Sequence, residues 1–344
     1  MKTKTKITVT LVVALVLGSF LLTGCSSEDG NELVVYSARN ERFVDDLLNK
    51  FEEDTGIKVK SLHAGNAAVN RIKEEGDNAH ADIFISNDVG ALEHLRLEGY
   101  LQSHQPKGLD SIDEMYRAVD DSWFALSART RVLMYNKDLV LEEDLPKSIW
   151  ELTEAKYEGQ FAITRGGNGG MIGHISALRN EWGDEKTSVW IEKVKKNAGG
   201  IMQGHGDIRR AVGAGEFKFG LVNNYYFHQQ LREPSNNNVG VIYPDQGADG
   251  MGAVVNAAGV GLINGAPNDE NAKKFLEWIL VPENQREFSY NSLEVPINPE
   301  VEAIDEAARI DDYKTHDMPL GKLGEVWEDT RELIEKSGLD LEIR

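Results

Sequence analysis

Of 344 residues one is cysteine, nine are proline and 8% are aromatic, and 37 Lys+Arg face 57 Asp+Glu. A single thiol, Cys25, excludes a disulfide framework and any cysteine-rich zinc or iron–sulfur site. A net charge of −20 repels phosphate backbones and excludes nucleic acid as an expected partner. There is no repeat period and no low-complexity tract. The common enzyme motifs are missing too: no Gly-x-Ser-x-Gly elbow, no His-Glu-x-x-His helix and no Walker A glycine–lysine pair. The 8 histidines are scattered, none at metal-ligand spacing along a helix. Without a nucleophile–base pattern, binding is expected rather than catalysis. What is present is length: with 41% hydrophobic residues the chain suffices for two lobes with cores of their own.

The N-terminus reads as an export signal. Lys2, Lys4 and Lys6 precede an apolar stretch over residues 7–22, then Leu22, Thr23, Gly24 and Cys25. This is the layout of a signal peptide over residues 1–24. The Leu-Thr-Gly-Cys string looks like a bacterial lipobox, which implies cleavage before Cys25 and lipid attachment to its sulfur. A membrane helix with an idle cysteine is the alternative, but the run is short for a span. Residues 25–31 are polar and turn-rich, as in a tether. The mature chain is therefore expected to be extracytoplasmic, held at the membrane by lipid alone.

Strand and helix signals alternate from residue 33. Strands are expected at 33–36, 57–59 and 82–85, with helices at 43–55, 67–75 and 89–98 between and after them. This βαβαβα start argues a mostly parallel sheet covered by helices. Residues 124–127 and 132–136 read as two short strands. Helices are expected at 171–181, 188–196, 207–214 and 226–232, a long apolar strand at 254–263, and helices again at 271–280 and 283–289. Two α/β lobes would leave a cleft, and ligands in such folds sit where strand ends and helix starts converge.

Four polar clusters follow expected strands: residues 37–41, 86–88, 129–131 and 223–226. Residues 166–170, Gly-Gly-Asn-Gly-Gly, could cradle an anion with backbone N–H groups or serve as a plain flexible loop lining the cleft. Tyr225 and Tyr226 stand at a strand-to-helix junction, where neighbouring side chains diverge by only about 100° and both hydroxyls can reach one cleft. A helix N-terminus favours negative charge, and a ferric ion would deprotonate phenols into hard oxygen donors. One packed and one exposed tyrosine is the plainer reading of the pair by itself.

Taken in order, these segments resemble the ferric-iron-binding proteins of bacterial ABC importers, the bacterial transferrins. Leu33 to Arg39 (LVVYSAR) is similar to the family's first strand and loop, and FEEDTGIKV, ADIFI and SARTRVLMY match later passages. Asn223 to Tyr226 looks like the signature in which adjacent tyrosines bind Fe(III). The resemblance implies a two-lobed periplasmic-binding-protein-like fold (type 2), with lobes joined by crossing hinge strands. Lobe one would hold residues 32–127 and 255–300, and lobe two 131–250 and 301–344, with the C-terminal helices packing on it. The hinges would lie near 128–131 and 251–256. It also implies delivery of Fe(III) to an ABC permease by a monomeric protein. The likeness departs in places: many members have a histidine where this chain has Asn40 and a glutamate where it has Asn87, next to Asp88. A third tyrosine used by some members near the glycine-rich loop is missing. Tyr225 and Tyr226 carry over cleanly; Asn40, Asn87 and Asp88 are weaker metal candidates, and Asn40 also suits a helix N-cap. In some members carbonate or phosphate completes the shell. Arg39, Arg129, Arg131 and Asn223 could hold such an anion here, and the arginines could equally pair with the many carboxylates. A receptor for an oxyanion such as a phosphonate is the alternative function.

Overall fold

The computed structural model describes residues 31–65, 67–304, 307–341 and 343–344. Cys25, the signal segment and most of the tether lie outside them. Among the described residues no helix is long and apolar enough to cross a membrane.

The chain opens with β1 (Glu32–Ser37), α1 (Asp45–Thr55), β2 (Lys58–His63), α2 (Ala67–Glu75), β3 (Ile83–Ser86) and α3 (Val89–Leu97). Leu47, Leu48 and Phe51 give α1 one buried face, and Gly56 ends it in the left-handed region at φ 71. β3 is apolar and wholly buried, as a strand covered on both sides must be. β1 pairs in parallel with β2 and β3, as the alternation predicts.

β4 (Trp123–Asn136) corrects the expectation of two short strands at 124–127 and 132–136: it is one strand of 14 residues. Its polar middle stays in the strand because each group finds a partner there, as described below. β5 (Phe161–Thr164) leads to α4 (Gly169–Asn197), two helical segments end to end, as expected at 171–181 and 188–196. Gly183, at φ 76 and ψ 168, breaks the helical path between them and supplies the kink. Then come β6 (Gly200–Met202), α5 (His205–Gly213), β7 (Phe219–Asn223), α6 (Asn224–Leu231), β8 (Val239–Ile242) and β9 (Val255–Leu262). α7 (Asp269–Ile279), α8 (Pro282–Tyr290), β10 (Val295–Pro296), α9 (Lys322–Glu325) and α10 (Trp327–Ser337) complete the chain.

The strand order is β2-β1-β3-β9-β4-β7-β5-β6, and β4 is the seam. Its first half, from Trp123 to Thr130, pairs with β9, and Ser127–Ala128 also pair with β10. From Arg131 onward it pairs with β7 on one side, and over Leu133 to Asn136 with β8 on the other. The partners therefore change at Thr130/Arg131, so the strands form one connected curl rather than two separate sheets. The approach of β9 is close: a Cβ at Gly259 would run into the Phe124 carbonyl. The C-terminal helices do not pack on residues 131–250 alone, as expected. Gly324 lies against Glu93 of α3 and the Trp327 ring is 5.1 Å from that of His94, while Thr330 meets Ser176 and Arg179 of α4. The small side of Gly324 and the large indole of Trp327 let this segment bridge the two halves.

Candidate functional site: a cleft where three helices begin

The Asp88 side chain caps α3 and that of Asn168 caps α4, while Asn223 holds the N-cap position of α6 without a side-chain bond. All three line one cavity of about 170 Å³ at the seam. Three helix N-termini pointing at one space give it a positive potential before any side chain is counted.

β4 supplies the charged floor. Side chains alternate along a strand, so Ser127, Arg129 and Arg131 share a face while Thr130 points the other way. Thr130 Oγ1 is 2.6 Å from the Tyr313 hydroxyl. Arg129 donates to the Asn87 carbonyl and lies 3.8 Å from Glu294. Glu294 also takes hydrogen bonds from Ser127 and, at 3.1 Å, from Arg39, whose guanidinium covers the Phe288 ring. Burial works against the Glu294 carboxylate, but Arg39, Arg129 and Ser127 outweigh it and hold it below its ordinary value. Arg131 differs. It donates to the Gly170 carbonyl and its Nη1 is 3.2 Å from His205 Nε2, but among the described residues it forms no ion pair. Burial pulls its pKa down to about 9.

The tyrosines come from the start of α6. Asn223 is the last, extended residue of β7, and helix begins at Asn224, two residues earlier than expected. The Asn224 side chain accepts from the Thr130 amide at 3.0 Å, which fixes the helix start on the seam strand. Tyr225 and Tyr226 thus fall in the first turn, their ring centroids 4.3 Å apart, and both line the cavity. Tyr226 also stacks on His205 at 5.2 Å. Burial, reinforced by Tyr225, pushes the Tyr226 phenol well up.

The other sequence candidates divide. Asn87, Asp88, Arg129, Arg131 and Asn223 join the tyrosines on the cavity wall. Asn87 gives its amide N–H to the Ala38 carbonyl at 2.9 Å. Asp88 accepts from Gly90 at 2.8 Å and Asn256 at 2.9 Å, and burial pushes its carboxyl pKa up despite them. Arg39 and Asn40 are not on the wall. Arg39 sits beneath it with Glu294, and Asn40 is exposed, accepting from the Arg42 amide at 3.2 Å as an N-cap does. In the glycine-rich loop Asn168 and Gly170 reach the cavity, and Gly166 bonds the Leu339 carbonyl.

Sequence reasoning missed His174, His205 and Asn256. His205 opens α5 directly after β6, so the search for polar residues behind strands could have found it. His174 lies inside a helix and Asn256 inside a strand, where nothing local marks them. Among the described residues no three His, Cys, Asp or Glu side chains come together as a metal cage.

The family model for bacterial extracellular solute-binding proteins matches residues 46–316. Iron uptake protein A1 of Synechocystis is 30% identical over 94% of both chains. A ferric binding protein from Campylobacter jejuni superposes with a TM-score of 0.82 at 29% identity, covering 89% of this chain and 99% of that one. A Trichodesmium protein solved with iron and citrate ligands gives 0.77 at 29% identity, with the same coverage.

Proposed function

The chain belongs to the bacterial extracellular solute-binding protein family, and on that premise we propose that it binds Fe(III) in the seam cavity and delivers it to an ABC permease. It binds and releases its cargo and catalyses nothing. Tyr225 and Tyr226 would hold the ion as phenolates, each giving up a proton on binding. The observation that carries this reading is the pair itself: two adjacent phenols in the first turn of one helix, on the wall of the seam cavity. An iron uptake protein at 30% identity and a ferric binding protein at 29% support it.

The charge of the cavity adds an anion to the cargo. Two phenolates leave a ferric ion with one positive charge, and Arg131 adds another that no carboxylate answers. Buried charge that is not paired is costly. Arg131, Asn223 and the three helix starts would hold an oxyanion such as carbonate or phosphate beside the metal, and Arg129 would join once freed from Glu294. The lobes would be residues 32–127 and 255–300 against 131–250, hinged near 128–131 and 251–256, with the C-terminal helices spanning both. Lipid on Cys25 would hold a monomer at the outer face of the membrane.

Arg131 and the asparagine-rich wall also favour the second reading, a receptor for an oxyanion alone. Titration of the purified protein with a ferric chelate separates the two. The ferric reading expects stoichiometric iron and a visible phenolate charge-transfer band; a colourless protein that binds phosphate or a phosphonate instead would replace it.

A further inference from the structure

His174 has no structural use for its nitrogens. It is 2% exposed, one helical turn beyond Gly170 on the same face of α4, and it lines the cavity with the two tyrosines. Its ring meets Trp190 edge-on at 5.5 Å, yet neither Nδ1 nor Nε2 has a hydrogen-bond partner. An apolar ring would pack on Trp190 equally well without stripping water from two polar atoms, and buried polar atoms without partners are rare. The other histidine on the wall is already engaged: His205 bonds the backbone at Leu221 and faces Arg131. Burial, with Arg131 and His316 nearby, keeps the His174 ring uncharged and a lone pair available.

We propose that His174 is a cargo ligand, a neutral imidazole nitrogen that binds Fe(III) beside Tyr225 and Tyr226. The inference rests on the ferric reading and deepens it: the site becomes a mixed phenolate–imidazole one, with its nitrogen donor on α4. Glycine at 170 lets α4 start close against the cavity, since a Cβ there would come within 2.9 Å of His205 and 3.1 Å of Arg131.

Pulsed EPR of the full mature chain loaded from ferric nitrilotriacetate tests this directly. Wild type should be coloured and show the modulation of an imidazole ¹⁴N coupled to high-spin Fe(III). His174→Phe should keep the fold and the colour, shift the charge-transfer band, lose the imidazole modulation and bind iron at least about tenfold more weakly. His205→Asn should retain the modulation. Should His174→Phe fail to fold, His174→Gln keeps a buried polar group while removing the imidazole, and the same loss of modulation is required. Coloured wild type without imidazole modulation, or modulation that survives in the His174 variants, overturns the assignment and leaves the ferric reading standing. Wild type that takes up no iron overturns both.

Discussion

The two walls of the cleft spend their polar groups differently. On the side of β3, β9 and β10, Glu294 answers Arg39 and Arg129, Asp88 caps α3 and takes the Asn256 amide, and Asn87 binds the Ala38 carbonyl. On the side of α4, α5 and α6, Arg131 has no counter-ion among the described residues, the His174 nitrogens have no hydrogen-bond partner, and two phenols line the space. The first wall answers its two guanidinium charges with a carboxylate of its own and belongs to the architecture. The second leaves the His174 nitrogens without hydrogen bonds, and it is the wall on which the proposed cargo would sit. Substitutions on the second wall should act on affinity, and those on the first on stability.

The largest effect is expected on the open wall. Tyr225→Phe or Tyr226→Phe keeps the ring and so the packing, but removes an anionic oxygen donor. Each should weaken Fe(III) binding by about a hundredfold or more, beyond the 10–100-fold typical of residues that only support a ligand, and bleach or shift the charge-transfer band. Melting temperature should hardly move. Titration with a competing ferric chelator reads the affinity; unchanged binding in both variants would remove the phenols from the site. Acid should also release iron from wild type, because protons compete for the phenolates.

The matching test of the closed wall is Glu294→Gln. It leaves Arg39 and Arg129 buried without their anion, a loss of about 3–5 kcal/mol. The Glu294 carboxyl is held below its ordinary value, so its contribution is full above about pH 4.5 and fades as pH falls through the depressed pKa. The stability gap between wild type and variant should therefore be widest near neutrality and narrow in acid, as urea melts at several pH values would show. A variant as stable as wild type at pH 7 would mean the ion cluster is not what closes this wall.

Asp88 gives the opposite sign at smaller size. Its carboxyl is pushed up by burial, so the ionised form costs stability above the folded pKa and the cost is relieved as pH falls. Asn caps a helix about as well as Asp, so Asp88→Asn should stay within about 1 kcal/mol of wild type at pH 7. A loss of several kcal/mol instead would show that the carboxylate charge itself is needed, and would move Asp88 from the closed wall toward the cargo.

How legible this division was in the sequence depends on how far apart the partners lie. ADIFI announced β3 and the junction at Asn223 announced the tyrosines, because both signals are local. Residues 129–131 read as a polar break between two strands, since nothing nearby in sequence satisfies them. In the fold Arg129 finds Asn87 and Glu294, Thr130 finds Tyr313, and Arg131 finds Gly170 and His205, so the strand runs straight through. Glu294 was invisible for the same reason: its bond to Arg39 spans 255 residues. His174 left no trace because a buried histidine within a helical pattern looks like core until its nitrogens are seen to lack partners.

The smallest effect is expected at Asn40, and it sharpens the comparison most finely. Resemblance to the family would put a cargo-binding side chain there, whereas the structure has it exposed, off the cavity wall and bonded to the Arg42 amide. Capping of a single short turn at the surface is worth about 1 kcal/mol or less, so Asn40→Ala should lower stability by no more than that. A neutral amide that does not reach the cavity should leave iron affinity alone. If cleft closure swung Asn40 onto the cargo, the alanine variant would lose affinity without further loss of stability. A drop of about tenfold, equal to about 1.4 kcal/mol, would place Asn40 among the ligands and show that the closed wall also opens to the metal.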